Sequence, residues 1–311
     1  MFPKTMKIIF IGGVEYSKEL LLYILKKGWK ISILFSYNES KKKFYSDYAC
    51  FDEISKEYGI KHVKVNNIND AENIQLIKKT NPDLILVMGW SQLLKSDLIQ
   101  IPKLGVIGSH PTELPKYRGR APIPWSIIKE LNESALTFFY IQDGVDDGDI
   151  LDQRKFIIDI HDDATSIYKK IIDIGKEMLN ENLLKISQGK SKRKKQNSKL
   201  FIENWPKRTP ADGKIDWGKT AHEIHNLIRA TTHPYPGAFT FFKHLKLIIW
   251  KSIFSQEKSK GIGKIIEVNK DGIKIGTGEG TIIIKDISIN DVNKSISDIF
   301  TKKDEGIILG E

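Results

Sequence analysis

The stretch Gly105–Trp125, GVIGSHPTELPKYRGRAPIPW, decides how the first half of this chain is organised. It begins as a short apolar run typical of a buried strand, and then changes to a histidine, prolines and two arginines before a helix can start. In an open parallel sheet, ligands meet the protein at the ends of the strands, so a histidine at such an end is well placed for chemistry. His110 is therefore a catalytic candidate, although a capping or buried structural histidine fits the same pattern.

A second loop of this kind follows in ALTFFYIQDGVDDGDILDQR, Ala135–Arg154, where another apolar strand ends in glycines and aspartates. Four carboxylates crowd into it, those of Asp143, Asp146, Asp147 and Asp149. Their spacing lacks the alternating Asp/Asn ligands and the closing Glu of a calcium loop, so no metal is predicted. A carboxylate near an imidazole fixes the tautomer and stabilises the protonated form, as a general base requires. We therefore predict that the two loops act as a pair.

Together the two loops resemble the formyltransferase family that uses 10-formyltetrahydrofolate. Its members carry a His-Pro-x-x-Leu-Pro-x-x-Arg-Gly segment, matched here by HPTELPKYRG, and an Asp in a D-x-G loop. Asp146 lies 36 positions after His110. The resemblance implies that both residues are catalytic. The family usually has Asn two residues before the His, where this chain has Gly108, so Ser109, a backbone N–H or an ordered water would have to polarise the formyl oxygen.

The resemblance also implies which residues bind the folate and the acceptor. The predicted folate residues are Met88, Gly89, Trp90, Leu94, Asp143 and Gly144. Trp90 and Leu94 fit ordinary core positions equally well. The predicted acceptor residues are Lys116, Tyr117, Arg118, Arg120, His233 and Tyr235. For Arg118 and Arg120, an ion pair with the aspartate loop is the alternative, and for His233 a rigid turn fixed by proline.

The acceptor itself is predicted from the loops. Transfer-RNA formyltransferases usually have a longer, Arg-rich loop after the second strand, whereas this chain has the shorter SYNESKKKFYSDYACF. With GWSQLL, RGRAPIPW and THPYPGAF, this segment resembles the enzymes that formylate amino sugars on nucleotide diphosphates. We therefore expect a dTDP- or UDP-linked amino sugar, a role in lipopolysaccharide O-antigen biosynthesis, and a homodimer. Methionyl-tRNA as the acceptor is one alternative, and a folate-binding or hydrolytic homologue, motivated by Gly108, is another.

The pattern along the chain predicts an α/β fold. A Rossmann-like, mostly parallel sheet with helices on both faces is followed by a smaller β-rich, OB-like domain. The strand Lys7–Gly13 and the helix Glu15–Lys27 open a βα unit, but G-x-G-x-x-G is absent, so NAD binding is not supported. We expect a catalytic domain at 1–187, a basic linker at 188–206, and a helix plus β-rich domain at 207–311. Solvation explains the linker segment QGKSKRKKQN, and contact with phosphate or tRNA is the alternative.

Composition limits the class of protein. The chain has 311 residues, of which 40% are hydrophobic and 28% charged, as in soluble globular proteins. No apolar run approaches a membrane span, and the N-terminal segment predicts a strand rather than a signal peptide. A single cysteine, Cys50, excludes an internal disulfide and is consistent with a cytoplasmic location. The net charge of +10 suits nucleic acid, a nucleotide diphosphate or a folate glutamyl tail equally.

Overall fold

The computed structural model describes residues 6–289 and 292–310, which fold into two compact units. The larger unit takes in the chain up to Pro122, Glu133–Ile157 and Tyr168–Pro206. The smaller unit takes in Ile123–Asn132, Ile158–Ile167 and the chain from Lys207 onward. None of the described helices combines the length and apolar character that a membrane crossing requires.

A seven-stranded sheet forms the centre of the larger unit. The strands of this unit are β1 (Ile8–Gly12), β2 (Ile31–Tyr37), β3 (Lys61–Val65), β4 (Leu84–Met88), β5 (Val106–His110), β6 (Tyr117–Gly119), β7 (Glu133–Tyr140), β8 (Ile150–Ile157) and β9 (Glu203–Trp205). The large sheet has the order β3-β2-β1-β4-β5-β7-β8, while β6 and β9 pair in a separate small sheet. Its first five strands are parallel, and β7 and β8 are antiparallel to their neighbours. Strands β1 and β4 are buried at every residue, as expected of strands covered on both faces.

Helices connect the strands of the sheet. They are α1 (Glu15–Lys26), α2 (Asp52–Glu57), α3 (Ala71–Thr80), α4 (Ser96–Ile99), α5 (Pro122–Ile128) and α6 (Ala164–Ser187). Helix α1 buries Leu20, Leu21 and Ile24, which share one face at helical spacing. The segment after β2, predicted as a loop, contains a 3₁₀ helix at Glu39–Phe44.

The order of the strands determines where a ligand site can form. The chain runs outward from β1 through β2 to β3 and then returns to place β4 on the other side of β1. Such a reversal leaves a crevice at the carboxyl ends of the central strands. Strand β5 is the next strand along and ends at His110, at the same edge of the sheet.

The smaller unit is built on an antiparallel sheet. Its elements from Ala221 onward are α7 (Ala221–Thr231), β10 (Ala238–Phe242), β11 (Leu245–Ser255), β12 (Ile265–Asn269), β13 (Gly272–Gly276), β14 (Thr281–Ile289), β15 (Val292–Lys294) and α8 (Ile296–Ile299). The strand order is β10-β11-β14-β13-β12, and β15 also pairs with β14. Ile249, Ile275 and Ile284 lie in its buried core. A mostly parallel sheet with helices followed by a β-rich domain confirms the predicted fold class.

Part of the predicted basic linker packs on the larger unit. The backbone of Lys194 exchanges two hydrogen bonds with that of Ile150, at 2.7 and 2.9 Å. The guanidinium of Arg193 lies 3.7 Å from the centre of the Tyr140 ring. The side chains of Lys192, Lys194 and Lys195 remain exposed. This segment therefore combines a solvated basic surface with a backbone that is fixed to β8.

Candidate active site

His110 is the last residue of β5 and pairs with Thr137 of β7. Its side chain is buried, with 6% of the residue exposed. Its Nε2 atom is buried without a hydrogen-bond partner among the described residues. A buried polar nitrogen that lacks a partner is costly to keep, so this atom is available to a ligand or a reacting group.

Asp146 comes from the loop between β7 and β8 and faces the same imidazole. Its Oδ2 lies 3.7 Å from Nδ1 of His110 and accepts a hydrogen bond of 3.0 Å from the backbone N–H of Gly119. The distance to the imidazole is that of an ion pair and exceeds that of a hydrogen bond. In ligand-free sites, such contacts are often longer than in the working complex. The predicted pairing of the two loops is thus present in the structure.

The backbone of the aspartate loop is constrained at Asp146 and at Gly148. Asp146 has φ of +50°, in the left-handed region. A Cβ on Gly148 would lie 1.7 Å from the carbonyl oxygen of Tyr140, so only glycine fits two residues after Asp146. This close approach gives the glycine of the D-x-G pattern a steric reason. In residues 6–289 and 292–310, no group of three or more His, Cys, Asp or Glu side chains is arranged to hold a metal ion.

A cavity of about 360 Å³ opens beside this loop. Two of the six predicted folate residues, Asp143 and Gly144, line it. The other lining residues are Ser96, Ile99, Gln100, Gln142 and Asp147. Ser96 donates a hydrogen bond from Oγ to Oδ1 of Asp143, which orients that carboxylate. The cavity therefore offers carboxylate and amide oxygens next to an apolar side chain. These hydrogen-bond acceptors suit a heterocycle with N–H groups.

Comparison with known proteins identifies the family. A model of the formyl transferase family matches residues 6–183, more than half of the chain, and a model of the formyl transferase C-terminal domain matches residues 207–303. The chain belongs to the formyltransferase family. The methionyl-tRNA formyltransferase of Clostridioides difficile (strain 630) is 33% identical over 311 residues, covering 98% of this chain and 100% of that protein.

Two solved structures show the same fold. WlaRD, a sugar 3N-formyl transferase crystallised with dTDP and 5-N-formyl-THF, is 24% identical with a TM-score of 0.66, and the match covers 92% of this chain and 98% of that one. The N-formyltransferase from Helicobacter canadensis, in complex with folinic acid and dTDP-3-aminofucose, is 22% identical with a TM-score of 0.66. That match covers 90% of this chain and 99% of the other.

In this formyltransferase, the position of the usual Asn is filled by a neighbouring side chain. A Cβ on Gly108 would lie 2.9 Å from both Cδ1 and Cγ1 of Ile141, and 3.3 Å from Cε1 of Phe139. Because side chains alternate along a strand, residue 108 shares a face with His110, and Ser109 points to the opposite face. The strand therefore directs the side chain of Ser109 away from the imidazole, and its catalytic role stays a prediction.

The loop after β4 packs within the formyltransferase rather than around an open space. Met88 is fully buried, and Leu94 is 8% exposed and lies in the core of the sheet. Trp90 stacks on Tyr37 with ring centres 3.8 Å apart. Gly89 has φ of +59°, and a Cβ there would lie 2.5 Å from Cγ2 of Val14. Packing explains these four residues, and their contact with folate stays a prediction. The Nε1 atom of Trp90 is buried and has no hydrogen-bond partner within the part of the chain that the structure describes.

The glycines after β1 also pack against the protein itself. A Cβ on Gly12 would lie 2.4 Å from Cβ of Ser17, and one on Gly13 would lie 2.0 Å from Cδ2 of Tyr37. The hydroxyl of Ser17 accepts hydrogen bonds from the N–H groups of Gly13 and Val14. These glycines therefore make room for helix α1 and for the Tyr37 ring.

The predicted acceptor residues of the larger unit lie around β6. Lys116 forms an ion pair of 2.9 Å with Glu113, and Tyr117 stacks on Trp205 at 4.6 Å. Arg118 donates to Oε1 of Gln196 at 2.8 Å. Among the described residues, neither Arg118 nor Arg120 forms the alternative, a direct ion pair with the aspartate loop. Arg120 is exposed.

The other two predicted acceptor residues belong to the smaller unit. The ring of His233 stacks on Trp250 with centres 4.0 Å apart, and its carbonyl accepts a hydrogen bond from Thr165. The N–H of Tyr235 donates to the carbonyl of Thr232. These contacts describe an ordered turn, and a role of His233 and Tyr235 in acceptor binding stays a prediction.

Three residues of the active-site loops escaped sequence analysis. Gly119 supplies the N–H that holds Asp146, Gly148 allows the loop to pass Tyr140, and Gln196 bonds the loop backbone. Gly119 and Gly148 lie inside the quoted motifs, where the repeated glycines were a usable signal. Gln196 gave no such signal, because it lies within a basic run that solvation already explained.

Proposed function

We propose that this formyltransferase moves a formyl group from 10-formyltetrahydrofolate to a primary amine, with His110 and Asp146 as its catalytic pair. The observation that carries the proposal is the convergence of a buried imidazole and a carboxylate from two separate strand ends, 3.7 Å apart. The unpartnered Nε2 of His110 is the atom available to the reacting groups.

The chemistry requires a group that accepts a proton. An amine is mostly protonated at neutral pH, and its nitrogen must lose a proton to attack a formyl carbon. With Nδ1 of His110 facing Asp146, the ring holds its proton on that nitrogen and leaves Nε2 as the acceptor. When the ring becomes cationic, the carboxylate of Asp146 stabilises it. As the bond between the formyl carbon and the folate nitrogen breaks, Nε2 of His110 gives this proton to that nitrogen, and tetrahydrofolate leaves. The N–H of Gly119 keeps that carboxylate in place.

The formyl oxygen gains negative charge as the amine attacks and needs hydrogen-bond donors. The usual carboxamide is absent because residue 108 is glycine. Once protonated, Nε2 of His110 is itself a donor on the same face of the strand. We propose that this single group serves both proton transfer and charge stabilisation, so that turnover is lower than in relatives that keep the Asn.

The folate donor supplies an activated formyl group when it is bound. The cavity lined by Asp143, Gly144 and Gln142 fits the pterin ring, because its N–H groups pair with carboxylate and amide oxygens. The two solved relatives were crystallised with 5-N-formyl-THF and with folinic acid, which supports a folate as the donor here.

For the acceptor, we propose a nucleotide-linked amino sugar. The segment after β2 is short and forms a compact 3₁₀ helix at Glu39–Phe44, with Tyr45 stacked on Tyr37 at 4.4 Å. This segment contains no arginine. The relatives bound to dTDP and to dTDP-3-aminofucose support the same substrate class.

Methionyl-tRNA is the second candidate, favoured by the full-length relative from Clostridioides difficile. Exposed positive charges suit a polyanion such as tRNA. The chain offers them at Lys42 and Lys43 and at the lysines of the basic segment at 188–197. The two acceptors differ in size and charge, so one experiment separates them.

The test supplies 10-formyltetrahydrofolate together with methionyl-tRNA, or with a panel of dTDP- and UDP-linked amino sugars, and measures formylated product. His110→Asn and Asp146→Asn should each lower turnover by a factor of about 10² or more, since each removes part of the acid–base pair. The exposed His244 provides the matched control, because His244→Asn should keep full activity. Near-normal rates in both catalytic variants would contradict the proposal, and formate release without any acceptor would identify a hydrolase.

A further inference from the structure

We propose that Gln196 is a positioning residue that holds the catalytic aspartate loop at the distance from His110 that proton transfer requires. This inference rests on the proposed function, because it acts through Asp146. Gln196 lies near the end of the basic segment at 188–197, 50 residues from Asp146 in sequence. Its side chain is half-buried, whereas the lysines before it are exposed.

The amide of Gln196 uses both of its ends. The Nε2 group donates to the carbonyl oxygens of Asp146 and Gly148, each at 2.8 Å. The Oε1 atom accepts from the guanidinium of Arg118, also at 2.8 Å. Because an amide has one acceptor end and one donor end, the contact with Arg118 orients the NH₂ toward the loop. The two N–H groups of Gln196 therefore bind the two loop carbonyls in a single orientation of the amide.

The contacts of Gln196 connect the backbone of the aspartate loop to Arg118. Arg118 precedes Gly119, whose N–H holds Oδ2 of Asp146 at 3.0 Å. Gln196 therefore links the backbone of Asp146 to the strand that supplies the hydrogen bond to its side chain. Since φ of Asp146 is +50°, the loop is in a region that a non-glycine residue occupies only when its surroundings enforce it.

The segment that carries Gln196 is itself anchored. Lys194 pairs with Ile150 through two backbone hydrogen bonds, two residues before Gln196. Arg193 covers the ring of Tyr140 and donates to the carbonyl of Leu104 at 3.3 Å. Tyr140 and Ile150 flank the aspartate loop at the ends of β7 and β8. The basic segment is thus fixed at the two strand ends between which the loop must be held.

The test compares Gln196→Ala and Gln196→Glu with Lys199→Ala, an exposed residue three positions further along the chain and outside the basic segment. Glu keeps the shape of Gln but replaces the donor end with a carboxylate, which repels the two carbonyls. We expect kcat to fall by a factor of about 10 to 100 in both Gln196 variants, as for the loss of two hydrogen bonds felt in the transition state. The KM for 10-formyltetrahydrofolate and the thermal midpoint should change little, and Lys199→Ala should behave as the parent protein does.

The bond between Gly119 and Asp146 gives a readout specific to the position of the aspartate loop. Hydrogen exchange at the amide of Gly119 provides a measurement that is independent of turnover, because this N–H loses its bond to Asp146. Unchanged exchange at Gly119 together with an unchanged kcat in Gln196→Glu would overturn the inference.

A double-mutant cycle distinguishes a failure of the proposed function from a failure of the role proposed for Gln196. In the background of Asp146→Asn, a further change of Gln196→Ala should cost little, because the residue that it positions has already lost its charge. If Asp146→Asn alone keeps normal turnover, the proposed function is wrong. If Asp146→Asn is inactive while the Gln196 variants are fully active, or if the two losses multiply, only the role of Gln196 is refuted.

Discussion

Replacing Gly108 with Asn, the residue that the family usually has there, tests how the active site works without it. A Cβ at this position would lie 2.9 Å from two carbon atoms of Ile141, where ordinary contacts begin at about 3.4 Å. Ile141 must therefore shift by several tenths of an ångström before the amide is accommodated. Overpacking of this kind costs about 1–3 kcal/mol, so we expect Gly108→Asn to lower the free energy of unfolding by that amount.

The second variant makes room for the amide. Ile141→Ala removes Cγ1 and Cδ1, the two atoms that conflict with a Cβ at residue 108. Ile141 is half-buried, so its loss alone should cost about 1–2 kcal/mol. In the double variant Gly108→Asn/Ile141→Ala, the steric penalty disappears. Its loss in free energy of unfolding should therefore be smaller than the sum of the losses in the two single variants. One well-placed donor to an oxyanion is worth a factor of about 10²–10³ in kcat, so the double variant should exceed Ile141→Ala in turnover by at least about tenfold.

Two measurements check this prediction: urea unfolding for stability, and formyl transfer from 10-formyltetrahydrofolate for turnover. Strictly additive losses of stability would mean that Ile141 does not occupy the place of the Asn side chain. A double variant no faster than Ile141→Ala would refute the claim that the site lacks a donor at this position.

Three further predictions follow from the geometry. Gly148→Ala should reduce turnover at least about tenfold, because the Cβ of the alanine would lie 1.7 Å from the carbonyl oxygen of Tyr140 and displace the aspartate loop. A normal rate of formyl transfer would show that the loop adapts. Burial lowers the pKa of His225 to about 4, with the charges of Arg229 and His222 adding to the effect. The unfolded chain binds this proton near pH 6.5 and the folded chain does not, so stability is complete above pH 6.5 and falls between pH 6.5 and 4, by about 2 kcal/mol. Unfolding by urea at pH 7 and pH 4.5 measures the loss, which should shrink in His225→Gln. Finally, replacing Lys41, Lys42 and Lys43 with Gln should flatten the salt dependence of the acceptor KM if methionyl-tRNA is the acceptor, and leave it unchanged for an amino sugar.

Local patterns explain which parts of the site sequence analysis could predict. His110 follows an apolar strand and Asp146 follows the next long one, and the spacing of the two motifs matches a family pattern. Strand β7 runs antiparallel to β5, and its last residue Tyr140 pairs with Ile107 rather than with His110. Neighbouring strand ends alone therefore do not bring the two side chains together, and the path of the aspartate loop does so. Trp90 and Leu94 show the opposite case, because a large apolar residue fits a core and a ligand site equally well. Only their stacking and burial distinguish the two environments.

The sequence by itself determined the α/β fold, the two strand-end loops and the chemical nature of their catalytic candidates, because hydrophobic periodicity and motif spacing are properties of the chain. The tertiary structure alone decided that Ile141 lies in close contact with any side chain at residue 108, and that Ser109 and His110 lie on opposite faces of β5. It also decided that Gln196, within a run that composition assigned to solvent, bonds to the backbone of the aspartate loop. These three results depend on which atoms meet across long separations in sequence, and no local pattern of residues encodes those distances.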